Sequence, residues 1–163
     1  MKADRPVSVL FVCLGNICRS PLAEGIFRAQ VIERGLDAQF LIDSAGTGSW
    51  HVGNPPHPGS IAVAHSHGID IQGQRARQVS PDDLQDFDWL VAMDASNVRN
   101  LRRMVDAEAS CRVVRLLEYV PNAPIDVPDP YYEGGFESVF DLIEAGCRGL
   151  LETLVTEALV TED

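Results

Sequence analysis

Three observations in the sequence predict an α/β protein, a single open parallel sheet of about four strands with helices on both faces. Short apolar runs rich in branched residues alternate with stretches of helical period. The first of these runs empties directly into a glycine-containing loop and a helix start. The chain is 163 residues long, near the commonest size of one compact domain, so residues 1–163 are expected to form a single domain around one core.

Val7 to Val12 is the first run, apolar except for Ser8, and reads as a buried central strand. Leu22, Ala23, Ile26, Phe27 and Val31 then cover about half the circumference of a 3.6-period helix, which Ser20-Pro21 is expected to open. Phe40 to Ile42 is a second strand, Trp89 to Met93 a third, and Arg112 to Leu116 a weaker fourth. Ser80-Pro81-Asp82-Asp83 combines a hydroxyl cap, proline at the first helical position and first-turn carboxylates, which predicts a short helix over Leu84 to Asp86. Ser96 to Val105 and Phe136 to Leu159 complete the helices. In the latter, Phe136, Phe140, Ile143, Leu150 and Leu154 recur at helical steps. Right-handed crossovers between parallel strands place such helices on both faces, the flavodoxin-like arrangement. Gly46 to Gly59 and Tyr119 to Gly135 match no element and are long for connectors, and function concentrates in such loops.

Composition narrows the function classes. With 45% apolar and 23% charged residues, the chain is neither disordered nor fibrous. Its net charge is −11, concentrated after residue 116, where Arg148 stands alone against 11 acids. Lys2 is the only lysine. Nucleic acid and membrane surfaces need clustered basic residues, so neither is expected as a partner. The N-terminal run is too short for a secretory signal, and no apolar stretch approaches a membrane span. The 4 cysteines suit reduced thiols in the cytoplasm better than a disulfide scaffold.

The chemistry gathers where the first strand ends, in Cys13-Leu14-Gly15-Asn16-Ile17-Cys18-Arg19-Ser20-Pro21. A tight loop between a strand and a helix turns successive N–H groups inward as an anion nest, and the helix N-terminus adds the positive end of its dipole. Arg19 can add a planar fork that grips two phosphoryl oxygens. Cys13, at the strand end, faces the same dipoles, which favour its thiolate. A nucleophile and an oxyanion cradle coincide.

The run from Val9 through Cys13 and Arg19 to Glu24 resembles the low-molecular-weight protein tyrosine phosphatases. So do Asp43-Ser44-Ala45-Gly46-Thr47, Trp50 with Gly53-Asn54-Pro55, Ala76-Arg77-Gln78, Met93-Asp94 and Asp129-Pro130-Tyr131-Tyr132. The resemblance implies hydrolysis of phosphotyrosine in proteins through a phosphocysteine on Cys13, without metal or cofactor. Arg19 and the amides of Leu14, Gly15, Asn16, Ile17 and Cys18 would bind phosphate. Ser20 would hydrogen-bond the thiolate, Asn16 held by Ser44 would brace the loop, and Asp129, stiffened by Pro128 and Pro130, would act as general acid and then base. Trp50, Tyr131 and Tyr132 would sandwich the phenyl ring. Cys18 matches a second loop cysteine that forms a reversible disulfide with the nucleophile in many members. The implied partners are phosphotyrosyl proteins, a tyrosine kinase, and inorganic phosphate as product and inhibitor.

Gln74 stands where many relatives carry histidine, and Asp94 reads as structural. His51, His57, His65 and His67 lack zinc-motif spacing and read as surface or packing residues, and Cys111 and Cys147 as core thiols. A thiol-relay arsenate reductase would need a cysteine pair around residues 80–95, where there is none. A protein arginine phosphatase tends to carry Thr where Ile17 stands. A non-catalytic phosphate-binding or dithiol module would have no use for a positioned acid such as Asp129.

Overall fold

The computed structural model describes residues 5–105 and 109–159, so Lys2 lies outside the described residues. Four parallel strands form one sheet in the order β2-β1-β3-β4. They are β1 (Val7–Cys13), β2 (Phe40–Gly46), β3 (Trp89–Ala92) and β4 (Arg112–Arg115). β1 is buried along its whole length because it pairs on both sides, Val9 with Ile42 of β2 and with Trp89 of β3. β2 runs beyond the expected Ile42 to Gly46. Its polar Asp43 and Ser44 are carried into the ladder opposite Leu10 and Phe11, since pairing with β1 continues to Cys13.

Alternation along the strands builds two cores. Val7, Val9, Phe11 and Cys13 of β1 face one core with Trp89 and Val91, while Leu10 and Val12 face the other with Leu90 and Ala92. The first core is closed by α1 (Arg19–Glu33), α2 (Pro58–Ser66) and α5 (Phe136–Leu154). Phe27 of α1 meets Phe11 and Phe40 edge-on, with ring centroids 5.4 and 5.5 Å apart. The second core is closed by α3 (Pro81–Asp86) and α4 (Ala95–Met104), which bring Leu84 and Leu101. Helices therefore cover both faces, as the alternation predicts.

Several local expectations are corrected. α1 begins at Arg19, one residue before Ser20, and the Ser20 side chain caps nothing because it is used at the site below. At α3 Ser80 is the N-cap as expected, in a capping box in which its N–H donates to the Asp83 carboxylate at 2.8 Å. α2 carries only Val63 and Ala64 as buried apolar residues, too few to show a helical period in sequence. α5 ends at Leu154 and passes into a wider π-helical turn, Val155–Leu159. Its Phe136 is half-buried and packs both on the main core and on Ile17, Cys18 and Ala76.

The strand order reverses direction at β1: the connection after β1 runs to one face and that after β3 to the other. A crevice opens at such a switch, outside the carboxyl ends of the two strands.

Candidate active site

The loop from Leu14 to Cys18 occupies that crevice. Its carbonyls are tied outward. Cys13 C=O accepts from Thr47 N–H and Leu14 C=O from Gly48 N–H, both at 2.9 Å, and Ile17 C=O accepts from His57 N–H at 2.7 Å. Cys18 C=O takes the Ser60 hydroxyl at 3.0 Å. The loop N–H groups are left pointing to the other side, as an anion nest requires. Asn16 sits at φ 58°, the left-handed turn that sends its own N–H onto the Cys13 Sγ at 3.3 Å. Gly46 makes room for this turn, since a Cβ there would lie 2.8 Å from the Leu14 carbonyl oxygen.

Hydrogen-bond bookkeeping orients the nucleophile. The Asn16 Oδ1 accepts from Arg77 N–H at 2.9 Å, which sets the amide so that Nδ2 donates to Ser20 at 2.8 Å and Ser44 at 3.0 Å. The Ser44 hydroxyl donates onward to Glu24 at 2.7 Å. Because Ser20 Oγ already accepts from Asn16, its own proton is free for the Cys13 Sγ, 3.1 Å away. Sγ thus receives donors from Asn16 and Ser20, the arrangement that suits a thiolate. Burial raises the Glu24 carboxyl above its ordinary value, and the bonds from Ser44 and Arg28 only partly offset it.

Arg19 is 3% exposed. Its Nη1 donates to Asp94 at 2.7 Å and to the Val127 carbonyl at 3.0 Å, and Nη2 lies 3.6 Å from Asp129. The Nε–H is buried with no partner, a donor of the kind that a phosphoryl oxygen satisfies. Burial works against the guanidinium charge, but Cys13, Asp94 and Asp129 outweigh it and hold Arg19 above its ordinary value. Asp94 also caps α4 through Asn97 N–H at 2.7 Å, so the structural reading of this residue gains a second duty in orienting Arg19.

Asp129 is brought to the opening by a loop anchored through Val127 N–H to Met93 C=O at 3.0 Å. One of its oxygens accepts from Tyr131 N–H at 3.1 Å, and its side chain is 44% exposed. A cavity of about 390 Å³ stands above Cys13, lined by Arg19 and Asp129 below and Trp50, His51, Tyr131 and Tyr132 at the mouth. Trp50 is 72% and Tyr132 90% exposed. Trp50 folds over Gly48, where a Cβ would collide with the indole.

The structure therefore brings together every residue singled out in sequence: Cys13 to Ser20, Ser44, Trp50, Asp129, Tyr131 and Tyr132. Sequence reasoning missed His51, which lines the cavity and packs on Tyr131 with centroids 5.8 Å apart. Its place beside Trp50 in an unassigned loop was the available signal. It also missed Glu24 as the end of the Ser44 chain, and Arg77, which forks onto Asp43 and Asp83 at 2.9 to 3.2 Å while its N–H holds Asn16. Gln74, in place of histidine, donates to the Pro21 carbonyl at 3.1 Å.

All four cysteines are free thiols. Cys18 is pushed up to about 12, first by burial and then by the charge of Cys13, and burial likewise raises Cys147. Among the described residues, potential metal donors cluster at His67, Glu137 and Asp141, whose ligating atoms lie within 4.8 Å of one another on the surface. There His67 pairs with Glu137 at 2.7 Å and stacks on Phe140.

A doubly wound sheet with a cysteine nucleophile inside an anion nest, an arginine fork and a carboxylate facing them defines a cysteine-dependent phosphoryl-transfer protein. The comparisons agree. Residues 8–160 match the family model of the low molecular weight phosphotyrosine protein phosphatases, and the chain belongs to that family. It is 51% identical over 152 residues, 93% of this chain and 97% of the relative, to the low molecular weight protein-tyrosine-phosphatase YfkJ of Bacillus subtilis. The crystal structure of YfkJ superposes with a TM-score of 0.90 over 94% of this chain and 97% of that one. The chain is 40% identical to PtpA of Staphylococcus epidermidis, over 96% of this chain and 99% of the relative. A protein tyrosine phosphatase structure from Entamoeba histolytica, 33% identical, gives a TM-score of 0.89 over 94% of this chain and 99% of that one. Among the described residues no helix is long and apolar enough to cross a membrane.

Proposed function

We propose that the chain, acting as one catalytic domain over residues 1–163, hydrolyses phosphotyrosine in proteins through a phosphocysteine. The observation that carries this reading is the Cys13 Sγ held by Asn16 and Ser20 beside the buried, unpartnered Nε–H of Arg19. In the first step the thiolate attacks phosphorus, the S–P bond forms and the phenol oxygen leaves, taking a proton from Asp129. Arg19 and the amides from Leu14 to Cys18 hold the three equatorial oxygens as charge redistributes among them. In the second step the Asp129 carboxylate takes a proton from water, the water oxygen attacks phosphorus, and the S–P bond breaks to release phosphate and the thiolate. Each group is used twice, so the cycle closes without a cofactor.

Trp50 and Tyr131 supply aromatic walls at the mouth for a phenyl ring, which a shorter phosphoseryl side chain lacks. Inorganic phosphate, as product, fits the same nest and competes with substrate. A tyrosine kinase is the natural counterpart of this activity, and the cytoplasm keeps the Cys13 and Cys18 thiols reduced. Under oxidants Cys18, on losing its proton, attacks the sulfur of a Cys13 sulfenic acid; the S–S bond forms as the S–O bond breaks, proton and hydroxide leave as water, and the nucleophile is protected from further oxidation.

The test is steady-state hydrolysis of phosphotyrosine, phosphoserine and phosphoarginine peptides in EDTA. Turnover of the first alone is expected, abolished in Cys13→Ser while phosphate-analogue binding survives, because a serine hydroxyl is not ionised near neutral pH. Preference for phosphoarginine would move the chain to the arginine-phosphatase reading.

A further inference from the structure

Of the residues around the cavity above Cys13, Ile17, His51 and Tyr131 also line a second, adjoining depression of about 820 Å³. One wall is apolar, made of Pro55, Pro56 and Pro58 with Ile61 and Ala62 of α2. The other edge carries Asn54, His57, His65 and Gln72. Among the described residues no carboxylate lines it, in a chain with 24 acidic residues and a net charge of −11.

This wall is fastened to the phosphate loop itself. His57 N–H bonds the Ile17 carbonyl at 2.7 Å, Ser60 the Cys18 carbonyl at 3.0 Å, and Asn54 C=O accepts from Ala76 N–H at 2.8 Å. The His57 ring is held as well. Its Nδ1 accepts from Gly59 N–H at 2.9 Å, its face stacks on Phe136 at 5.0 Å and its edge meets Tyr131 at 5.7 Å. With Nδ1 used as an acceptor, the Nε2–H remains as a donor. The prolines have no N–H, so these positions cannot pair with an added strand, and recognition here falls to side chains.

We propose that this depression is the subsite for the residues flanking phosphotyrosine in the substrate polypeptide, taking apolar and acidic side chains and disfavouring lysine and arginine. The proposal rests on the phosphotyrosine reading of the cavity. Once a phosphotyrosyl ring lies between Trp50 and Tyr131, the peptide backbone is at the rim. An extended chain advances about 3.3 Å per residue, so it reaches the depression within its next few residues. An apolar side chain finds Ile61, Ala62 and proline surface there. An acidic one finds imidazole and amide donors and no carboxylate among the lining residues, while a basic one finds no counter-charge among them. Rigid attachment to Ile17 and Cys18 means that neither loop nor wall has to be ordered on binding.

A phosphotyrosyl peptide series with Ala, Leu, Glu or Lys at each flanking position tests this, alongside p-nitrophenyl phosphate as internal reference. On one side of the phosphotyrosine, Leu and Glu should raise kcat/KM over Ala by about fivefold, chiefly through KM, and Lys should lower it. Ala62 is exposed on α2, where Glu and Lys both suit a helix. Ala62→Glu should cut kcat/KM for the Glu-flanked peptide about fivefold relative to p-nitrophenyl phosphate, and Ala62→Lys should not. A flat peptide series, or equal changes for peptide and small ester, overturns the subsite and leaves the phosphatase reading intact. Wild-type hydrolysis of the small ester with no phosphotyrosyl peptide cleaved overturns the phosphotyrosine reading and the subsite with it. A dimer in sedimentation that Ala62→Glu dissociates, with a flat peptide series, would give the depression to a second copy of the chain and overturn the peptide.

Discussion

Asp129 and Cys18 both lie beside the cavity above Cys13, and their surroundings differ. Asp129 is 44% exposed and only 3.6 Å from the Arg19 fork, so water and substrate both reach it. If it protonates the leaving phenol, Asp129→Ala should slow phosphotyrosine hydrolysis by about 10² to 10⁴ while slowing p-nitrophenyl phosphate less, since p-nitrophenolate leaves with little help. Equal slowing of both would make Asp129 a support for the Tyr131 backbone it accepts from, with Asp94 the next carboxylate to examine. Cys18 is buried and pushed up to about 12, so near neutral pH it is a thiol. The thiolate is the form that attacks a sulfenic acid. Closure of the Cys13 to Cys18 disulfide after a peroxide pulse should therefore speed up about tenfold per pH unit between pH 7 and 9. Peptide mapping of samples quenched with acid reads this rate, and a pH-independent rate would exclude Cys18 as the resolving thiol.

Two elements carry the loop, α1 below it and the end of β2 beside it. Glu24 of α1 is 8% exposed and its carboxyl is raised above the ordinary 4.5 by burial. A carboxyl raised in the folded state binds its proton more tightly there than in the unfolded chain, so its contribution is present below about 4.5 and is lost as pH rises through the folded value. Glu24→Gln removes this titration and keeps an acceptor for Ser44, so its Tm relative to wild type should climb as pH rises from 4 towards 7. A constant difference would mean that the loss of the Arg28 ion pair dominates. At the end of β2, Gly46→Ala forces the Leu14 carbonyl or the Asn16 turn to shift, given the 2.8 Å approach to Leu14. It should lower kcat well beyond its effect on Tm, because misplacing an anion nest by a fraction of an ångström costs more in the transition state than in the ground state. Comparable losses in both would place the strain in the fold instead of the site.

At the scale of the whole molecule the site, with Arg19 as its cation, sits in a chain of net charge −11. A phosphopeptide is itself anionic, so the global field opposes its approach and salt screens that opposition. Between about 10 and 150 mM NaCl, kcat/KM for an acidic phosphopeptide should rise modestly, by about twofold. A fall would show that the nest and Arg19 govern the encounter. The sequence alone determined the alternation of strands and helices and the loop between Cys13 and Ser20. Branched runs such as Val7 to Val12 and the stripe from Leu22 to Val31 are local patterns, and Cys13 to Ser20 lies within one turn of chain, so its geometry follows from a strand meeting a helix. Tertiary structure alone decided what converges on that turn from afar. Asp94 reaches Arg19 across 75 residues and Val127 does so across 108. Arg77 settles the Asn16 amide, Glu24 sets the direction of the Ser44 chain, and His51 and His57 join Tyr131 in a wall. Such contacts leave no period or spacing in the chain. They depend on the β2-β1-β3 order bringing the ends of separate strands to one crevice, where burial strengthens each hydrogen bond and makes each missing one costly.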